Sequence, residues 1–259
     1  MKGRLLGIIV LIVWGLAKTP LETNLARERM HEQFGEFKLA SNVREQLGQA
    51  GLLAVFGGLR AAMADLIYIG AFMAWEKADY GVVKVRFDVC TALQPRCELY
   101  WDMAAWHMAW NGAAYVEMRD KTITDPMERD REIHRYWKLG EEYLLRGIQN
   151  NPDSWTLYER LGAIYRDKFH DNYKAALAYA EADKRPGRLD YVHRFAATFL
   201  ADAPGHEREA YEKLLALYNE GKAQQLKVVL QKLQLMERKL GIPNEQRVYI
   251  PPEERLPPE

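Results

Sequence analysis

The sequence predicts an all-α protein built from antiparallel helix pairs that stack into a solenoid. No stretch alternates apolar and polar residues with the period of two that marks a half-buried strand. The eleven prolines fall between the apolar helical patterns rather than inside them, where a proline would break a helix. Two of them, Pro152 and Pro186, lie 34 residues apart, a spacing typical of a repeated helix–turn–helix unit.

Residues 1–21 are predicted to form a signal anchor, a single N-terminal membrane helix. Lys2 and Arg4 precede thirteen uncharged residues, Leu5–Ala17, and positive residues before such a segment stay in the cytoplasm. A complete span needs about 20 residues, towards which residues 18–21 extend the segment. One alternative is a signal peptide cleaved after Ala17, and another is a buried helix of a soluble protein. The anchor and the signal peptide both place the main domain on the extracytoplasmic (periplasmic) side of a membrane.

Residues 22–59 are predicted to be a linker with N-terminal helices. The apolar stretch from Gly51 to Trp75 carries Arg60 and Asp65 near its middle, and each charge at the centre of a bilayer costs about 3 kcal/mol. We therefore predict two buried helical segments that meet near Gly57-Gly58, rather than a second membrane span.

Two motifs between the spaced prolines carry a family resemblance. They are Tyr158-x2-Leu161-Gly162-x2-Tyr165 and Ala175-x3-Tyr179-x2-Ala182. The chain resembles tetratricopeptide-repeat (TPR) proteins of the membrane-anchored bacterial type, although Tyr158 stands where tryptophan is usual and the second motif falls one residue late. The resemblance implies helix pairs that cross closely at small residues, stacked over residues 60–240.

Related patterns extend the resemblance in both directions. They are Ile67-x2-Gly70-Ala71-x2-Ala74, Val83-x3-Phe87-x2-Cys90, Trp101-x2-Ala104-Ala105-x2-Met108 and Gly140-x3-Leu144-x2-Gly147. The second pair is longer than the repeat, with extra residues over 112–135 and a helix start at Asp125-Pro126. An apolar stripe over residues 226–240 predicts a terminal capping helix. Residues 241–259 hold five of the eleven prolines and are predicted to be an extended or disordered Pro-rich tail.

Composition argues against several classes of function. Lys plus Arg and Asp plus Glu number 36 each, whereas a general nucleic-acid binder needs a basic excess to neutralise phosphates. No phosphate-binding glycine loop, nucleophile elbow or regular Cys/His spacing is present, so we expect no cofactor and no metal site. The sequence favours a non-enzyme, although missing motifs do not exclude enzyme activity.

The TPR resemblance also implies a partner-binding groove on the first helix of each pair. Carried over residue by residue, its positions are Tyr68, Phe72, Trp75, Asp102, Trp106, Ala109, Glu159, Ala163 and Arg166, with Trp110 one residue past the position of Ala109. Aromatic side chains with a few charges suit a protein or peptide partner. The alternative is that Trp106 and Trp110 pack internally, against the segment 36–62.

Cysteine and histidine give weaker signals. Cys90 occupies a small-residue position and is expected to be a buried thiol, and Cys97 follows on the adjoining turn. An oxidising compartment would permit a Cys90–Cys97 disulfide if the Cα atoms lie within about 7 Å. His107 has no accompanying carboxylates in sequence and is expected to have a core or capping role.

The leading functional hypothesis is a membrane-tethered scaffold or adaptor that helps assemble a cell-envelope complex by protein–protein interaction. Its membrane contact is residues 5–17, and it contacts no nucleic acid. A second hypothesis is a fixed structural subunit whose surfaces are permanently covered by partner chains. An enzyme with an unrecognised site is the third.

Overall fold

The computed structural model describes residues 58–257, and the prediction of an all-helical protein is confirmed for these residues, which contain no strand. The predicted anchor over residues 1–21 and the predicted helices before Gly57 lie outside the described residues. The chain divides into two compact units, Met1–Ala74 with Gly81–Pro95 and Trp75–Tyr80 with Arg96–Glu259. No helix within residues 58–257 is long and apolar enough to cross a membrane.

Helix α1 (Arg60–Glu76), as far as Ala74, and helix α2 (Tyr80–Leu93), from Gly81 onwards, supply most of the described part of the first unit. They pack through small residues, since the Cys90 thiol donates to the Ala64 carbonyl at 3.4 Å. The rings of Tyr68 and Phe87 lie 5.9 Å apart, edge to face. Ala64, Phe87 and Cys90 are fully buried, so this seam is the core of the helix pair.

The second unit contains the remaining helices, and each packs against its neighbours along the chain. They are α3 (Glu98–Trp106), α4 (Ala113–Met118), α5 (Pro126–Asn150), α6 (Trp155–Asp167), α7 (Asn172–Asp183), α8 (Asp190–Leu200), α9 (Glu207–Asn219) and α10 (Lys227–Lys239). A π-helical turn, His107–Gly112, joins α3 to α4.

Side-chain caps set the starts of three consecutive helices. Asp125 accepts a hydrogen bond from the Met127 amide before Pro126, the first residue of α5. Ser154 and Asp171 accept in the same way at the starts of α6 and α7. Each cap satisfies an amide that has no partner inside the helix, typically worth about 1 kcal/mol. The Ser154 hydroxyl also donates to Glu98 at 2.5 Å, which ties the start of α6 to α3.

Two glycines allow the backbone of α5 to lie directly against α3 and the π-helical turn. A Cβ atom on Gly140 would lie 2.6 Å from the Ala109 Cβ and 3.0 Å from the Ala105 carbonyl oxygen. A Cβ atom on Gly147, two turns further along, would lie 2.8 Å from the Trp101 Cβ. Neither contact leaves room for a methyl group, so these two glycines set the separation of the helices.

The motif residues between Pro152 and Pro186 form the contact between α6 and α7. Ala175, Tyr179 and Ala182 are fully buried, and a Cβ atom on Gly162 would meet the Tyr179 ring at 3.0 Å. Tyr179 also stacks on Phe199 of α8, with ring centroids 5.5 Å apart. One tyrosine therefore connects three successive helices.

Helix α10 and the C-terminal tail complete the second unit. Leu233 and Met236 of α10 are fully buried in a cluster with residues of α8 and α9. The tail lies against α10, because the Val248 amide donates to Glu237 at 2.9 Å and the Leu256 amide donates to Gln234 at 2.7 Å. Ile250 is 4% exposed. The predicted Pro-rich tail is thus extended and docked in the described residues.

The tail repeats one local structure eight residues apart. Two short 3-10 turns, Asn244–Gln246 and Pro252–Glu254, each follow an Ile-Pro pair. After each turn an arginine Nε donates back to the isoleucine carbonyl at 2.8 Å, from Arg247 to Ile242 and from Arg255 to Ile250. The prolines start these turns because their φ angle is already restricted.

A histidine connects the ends of two helices across α8. The His193 Nδ1 lies 2.7 Å from Asp183 Oδ2, and its Nε2 lies 2.9 Å from Glu220 Oε1. Arg188 also pairs with Asp183, at 2.6 Å. Two carboxylates can both accept from the ring only when both nitrogens carry protons, so the arrangement favours the imidazolium.

We expect Gly140→Ala to destabilise the protein by about 1–3 kcal/mol through overpacking. Alanine would favour an isolated helix, but its methyl group meets the Ala105 carbonyl, which cannot move aside without shifting α3. The free energy of unfolding, measured in urea, checks this. Glu142→Ala, at an exposed position of the same helix, is the control and should change it by at most about 0.5 kcal/mol. Equal effects of the two substitutions would contradict the close contact.

The hydrogen bonds of His193 to Asp183 and Glu220 should make the free energy of unfolding depend on pH. Burial of the ring opposes protonation, but the hydrogen bonds that the ring donates to Glu220 and Asp183 outweigh it and raise the pKa of His193 above 6.5. The stabilisation is therefore complete below about pH 6.5 and is lost as the pH rises through the folded-state pKa. His193→Gln should cost more stability at about pH 5.5 than at about pH 9. A stability difference between wild type and variant that stays constant with pH would refute this assignment.

Candidate partner-binding site

Two tryptophans form an aromatic platform at the junction of α3 and the π-helical turn. The rings of Trp106 and Trp110 are stacked, with centroids 5.0 Å apart and planes inclined by 16°. Trp106 is 44% exposed, whereas Trp110 is half-buried. The Lys168 ammonium lies 5.1 Å from the centre of the Trp110 ring. A large exposed ring held rigid by a second ring suits a contact surface, because little side-chain entropy remains to be lost on binding.

A charged network connects α3 to α6 one turn away from Trp106. The Arg160 Nε lies 3.1 Å from Asp102 Oδ1, and its Nη1 lies 3.2 Å from Glu159 Oε2. Glu159 is only 7% exposed, and Asp102 is half-buried. One arginine therefore pairs with two carboxylates, so the network has a net negative charge when both acids are ionised.

Burial affects the protonation of both acids. It raises the pKa of Asp102 above its ordinary value, although Arg160 acts in the opposite direction. It raises the pKa of Glu159 in the same way, against Arg160 and Arg166. The charged forms of both groups are thus under-compensated, since burial in a low-dielectric environment penalises an ion that is incompletely paired.

Arg166, a further predicted groove residue, is engaged within the protein. Its guanidinium pairs with Asp167 at 2.5 and 2.8 Å and donates to the Tyr179 hydroxyl at 3.1 Å. It also lies 5.6 Å from the centre of the Phe199 ring. These contacts hold Arg166 against α6, α7 and α8, so its charge is already engaged within the protein.

The structure brings together only some of the predicted groove residues. Asp102 and Glu159 share one network, Trp106 and Trp110 share one stack, and Ala109 and Ala163 are buried. Tyr68 and Phe72 belong to the first unit, where their rings meet edge to face at 5.1 Å. Trp75 belongs to the second unit, and its ring lies 5.4 Å from the His107 ring.

Two residues of this site were not identified from the sequence. Arg160 joins the two acids, and Tyr191 of α8 interacts with Glu159 through its hydroxyl. Arg160 follows the predicted groove residue Glu159 by one position. The repeat pattern therefore does not count Arg160 among the groove residues. Its long side chain reaches back to Asp102, which only the packing of α3 on α6 reveals.

His107 lies inside the π-helical turn and is 2% exposed. Its Nδ1 is 3.1 Å from the Asn111 Nδ2, one turn along the chain. Burial lowers the pKa of His107 to about 4, so the ring is neutral near pH 7. This buried, neutral ring is part of the core.

The two cysteines are free thiols in the structure. Cys90 is buried in the first unit, and Cys97 immediately precedes α3 in the second unit. The predicted alternative of a Cys90–Cys97 disulfide is therefore not formed in this structure. Within residues 58–257, no three His, Cys, Asp or Glu side chains are grouped as a metal site would require.

The chain was compared with protein-family models, curated proteins and solved structures. No protein-family model, curated protein or solved structure matches the chain.

Proposed function

We propose that the chain is a membrane-tethered helical-repeat scaffold that binds a protein or peptide partner in the assembly of a cell-envelope complex. The observation that carries the proposal is the exposed, stacked Trp106 beside the Asp102–Arg160–Glu159 network. Exposed aromatic anchors next to buried charges are typical of protein interfaces, where tryptophan and arginine carry much of the binding energy.

The proposal includes a TPR-like fold of antiparallel helix pairs. It is supported by the burial of Ala175, Tyr179 and Ala182 and by the close contact of Gly162 with Tyr179. These are the positions at which the sequence resembles the repeat. In such a stack the first helices of successive pairs line one surface, which here would carry Asp102, Trp106 and Glu159.

The charge of this surface indicates the chemistry of the partner. A network of two carboxylates and one guanidinium, next to an exposed indole, favours a segment that presents a lysine or arginine together with an apolar side chain. The cation would compensate Asp102 and Glu159, and the apolar group would pack on Trp106.

Trp106→Ala should abolish recovery of the partner while the protein stays folded. Loss of a stacked, exposed ring should cost about 0.5–1.5 kcal/mol of folding stability, whereas loss of an interface anchor costs at least about 2 kcal/mol of binding. The full chain is purified from solubilised membranes, co-eluting proteins are quantified by mass spectrometry, and thermal unfolding is followed in parallel.

Trp101→Ala is the matched control on the same helix. Trp101 is 2% exposed, so its truncation should cost about 3–5 kcal/mol of folding stability. The site proposal fails if Trp106→Ala collapses the thermal transition as Trp101→Ala does. It fails equally if Trp106→Ala leaves the set of recovered proteins unchanged.

The membrane tether predicts the topology of the chain. A reporter enzyme that is active only outside the cytoplasm should be active when fused after Glu259, because Lys2 and Arg4 keep the N-terminus inside. A reporter active only in the cytoplasm should be silent at the same position. The reverse result would rule out an extracytoplasmic main domain.

A further inference from the structure

Helix α1 carries a stripe of exposed apolar side chains, here called the α1 seam. Leu66 is 64% exposed, and Ile69 and Met73 are each 56% exposed. Leu59, immediately before α1, and Ala62, in its first turn, are exposed as well. The five residues follow one another at spacings of 3, 4, 3 and 4. This is the heptad pattern by which one helix packs against another in a coiled coil, with residues 59, 66 and 73 at the a positions and 62 and 69 at the d positions.

The α1 seam borders a cavity of about 470 Å³ between α1 and α2. Leu66 and Met73 line this cavity from α1, and Val85 and Val89 line it from α2. A helix that packs on the seam therefore finds a depression for its own side chains beside the exposed stripe. Side chains of one helix that enter depressions on the next are the basis of coiled-coil packing, so the shape of this surface suits a helix.

Two opposite charges flank the α1 seam. Asp65, at the g position on one side, is exposed. The e position on the other side is Gly70, whose carbonyl accepts a hydrogen bond from the Arg86 guanidinium. A Cβ atom on Gly70 would collide with this guanidinium, so Arg86 occupies the space of the side chain that position 70 lacks. Among residues 58–257, no carboxylate forms an ion pair with Arg86.

These flanking charges match a second copy of the same helix in parallel orientation. In a parallel coiled coil, the g residue of one helix faces the e residue five positions further along its partner, and charges there set partner choice and orientation. Asp65 of one copy thus faces position 70 of the other, where the Arg86 guanidinium lies. Twofold symmetry forms this contact twice. In an antiparallel pair g positions face g positions, so Asp65 would oppose Phe72 or another Asp65.

We propose that the α1 seam binds the same seam of a second copy of this chain, parallel and in register, with Asp65 of each copy against Arg86 of the other. The seam ends before Glu76, which is exposed and charged at the next d position, so the contact spans about two heptads. This self-association uses residues of the first unit and is independent of the proposed partner site at Trp106.

Mixing two charge variants of the full chain tests the ion pairs. Asp65→Arg makes both flanking charges positive, and Arg86→Glu makes both negative. Each variant alone should self-associate at least about tenfold more weakly than the wild type, because like charges then face each other. A one-to-one mixture should regain association, since every facing pair is again opposite in charge. Analytical ultracentrifugation measures the dissociation constants.

Lys84→Glu is the control for charge reversal, because Lys84 pairs with Asp88 at 2.7 Å within α2. It should change the dissociation constant by no more than about twofold, as expected for an exposed pair away from the contact. The proposal is overturned by a wild-type chain that stays monomeric, by single variants that associate as the wild type does, or by a mixture that regains nothing.

Cysteine cross-linking remains decisive if the charge variants fail to fold. Ile69→Cys should form a disulfide between two copies under mild oxidation. Equivalent d positions face each other in a parallel pair, and a disulfide needs Cα atoms within about 7 Å. Ala61→Cys, at an exposed c position of the same helix, is the control and should not link. Mass spectrometry of the peptides identifies the linked positions.

The cross-linking is done on the full chain before any detergent is added. Absence of a link at position 69, or equally fast links at positions 61 and 69, overturns the proposal. The α1 seam would then contact lipid or a different protein.

Discussion

Close approach of helix backbones at small residues is the constraint on which the second unit depends. Gly140 lies against the Ala105 carbonyl and Gly147 against Trp101, so α5 can reach α3 only where no side chain intervenes. This contact fixes α3, and α3 in turn presents Asp102 and Trp106. Interiors packed at this density transmit small displacements, so a change at Gly140 moves residues that it does not touch.

The candidate partner-binding site combines features that work against stability. Glu159 is buried with a raised pKa, and Trp106 leaves nearly half of a large apolar ring in water. Neither arrangement stabilises the fold, because an under-compensated buried charge and an exposed indole both cost free energy. Their position side by side supports the proposal of a ligand that compensates both.

The sequence predicts local features well and distant contacts poorly. The start of α5 at Pro126 followed from the Asp125-Pro126 pair, because capping is a local interaction. The small-residue motifs around Gly162 and Tyr179 identified the residues at the helix contact. The π-helical turn was not predicted, since its extra residue is accommodated by packing on α5 and leaves no periodic signal. Arg160 was missed for a related reason. One of its carboxylate partners, Asp102, lies far away along the chain, so no local pattern indicates the contact.

The docked tail covers part of α10. The backbone amides of Val248 and Leu256 donate to side chains of α10, and Ile250 is buried. Stacked repeats with an uncovered terminal face are prone to join end to end, because each layer is a template for the next. In the TPR-like stack proposed above, the two proline turns would cover this face of α10 with extended backbone instead of a helix. Another helix could then pack at this place only after the tail is displaced.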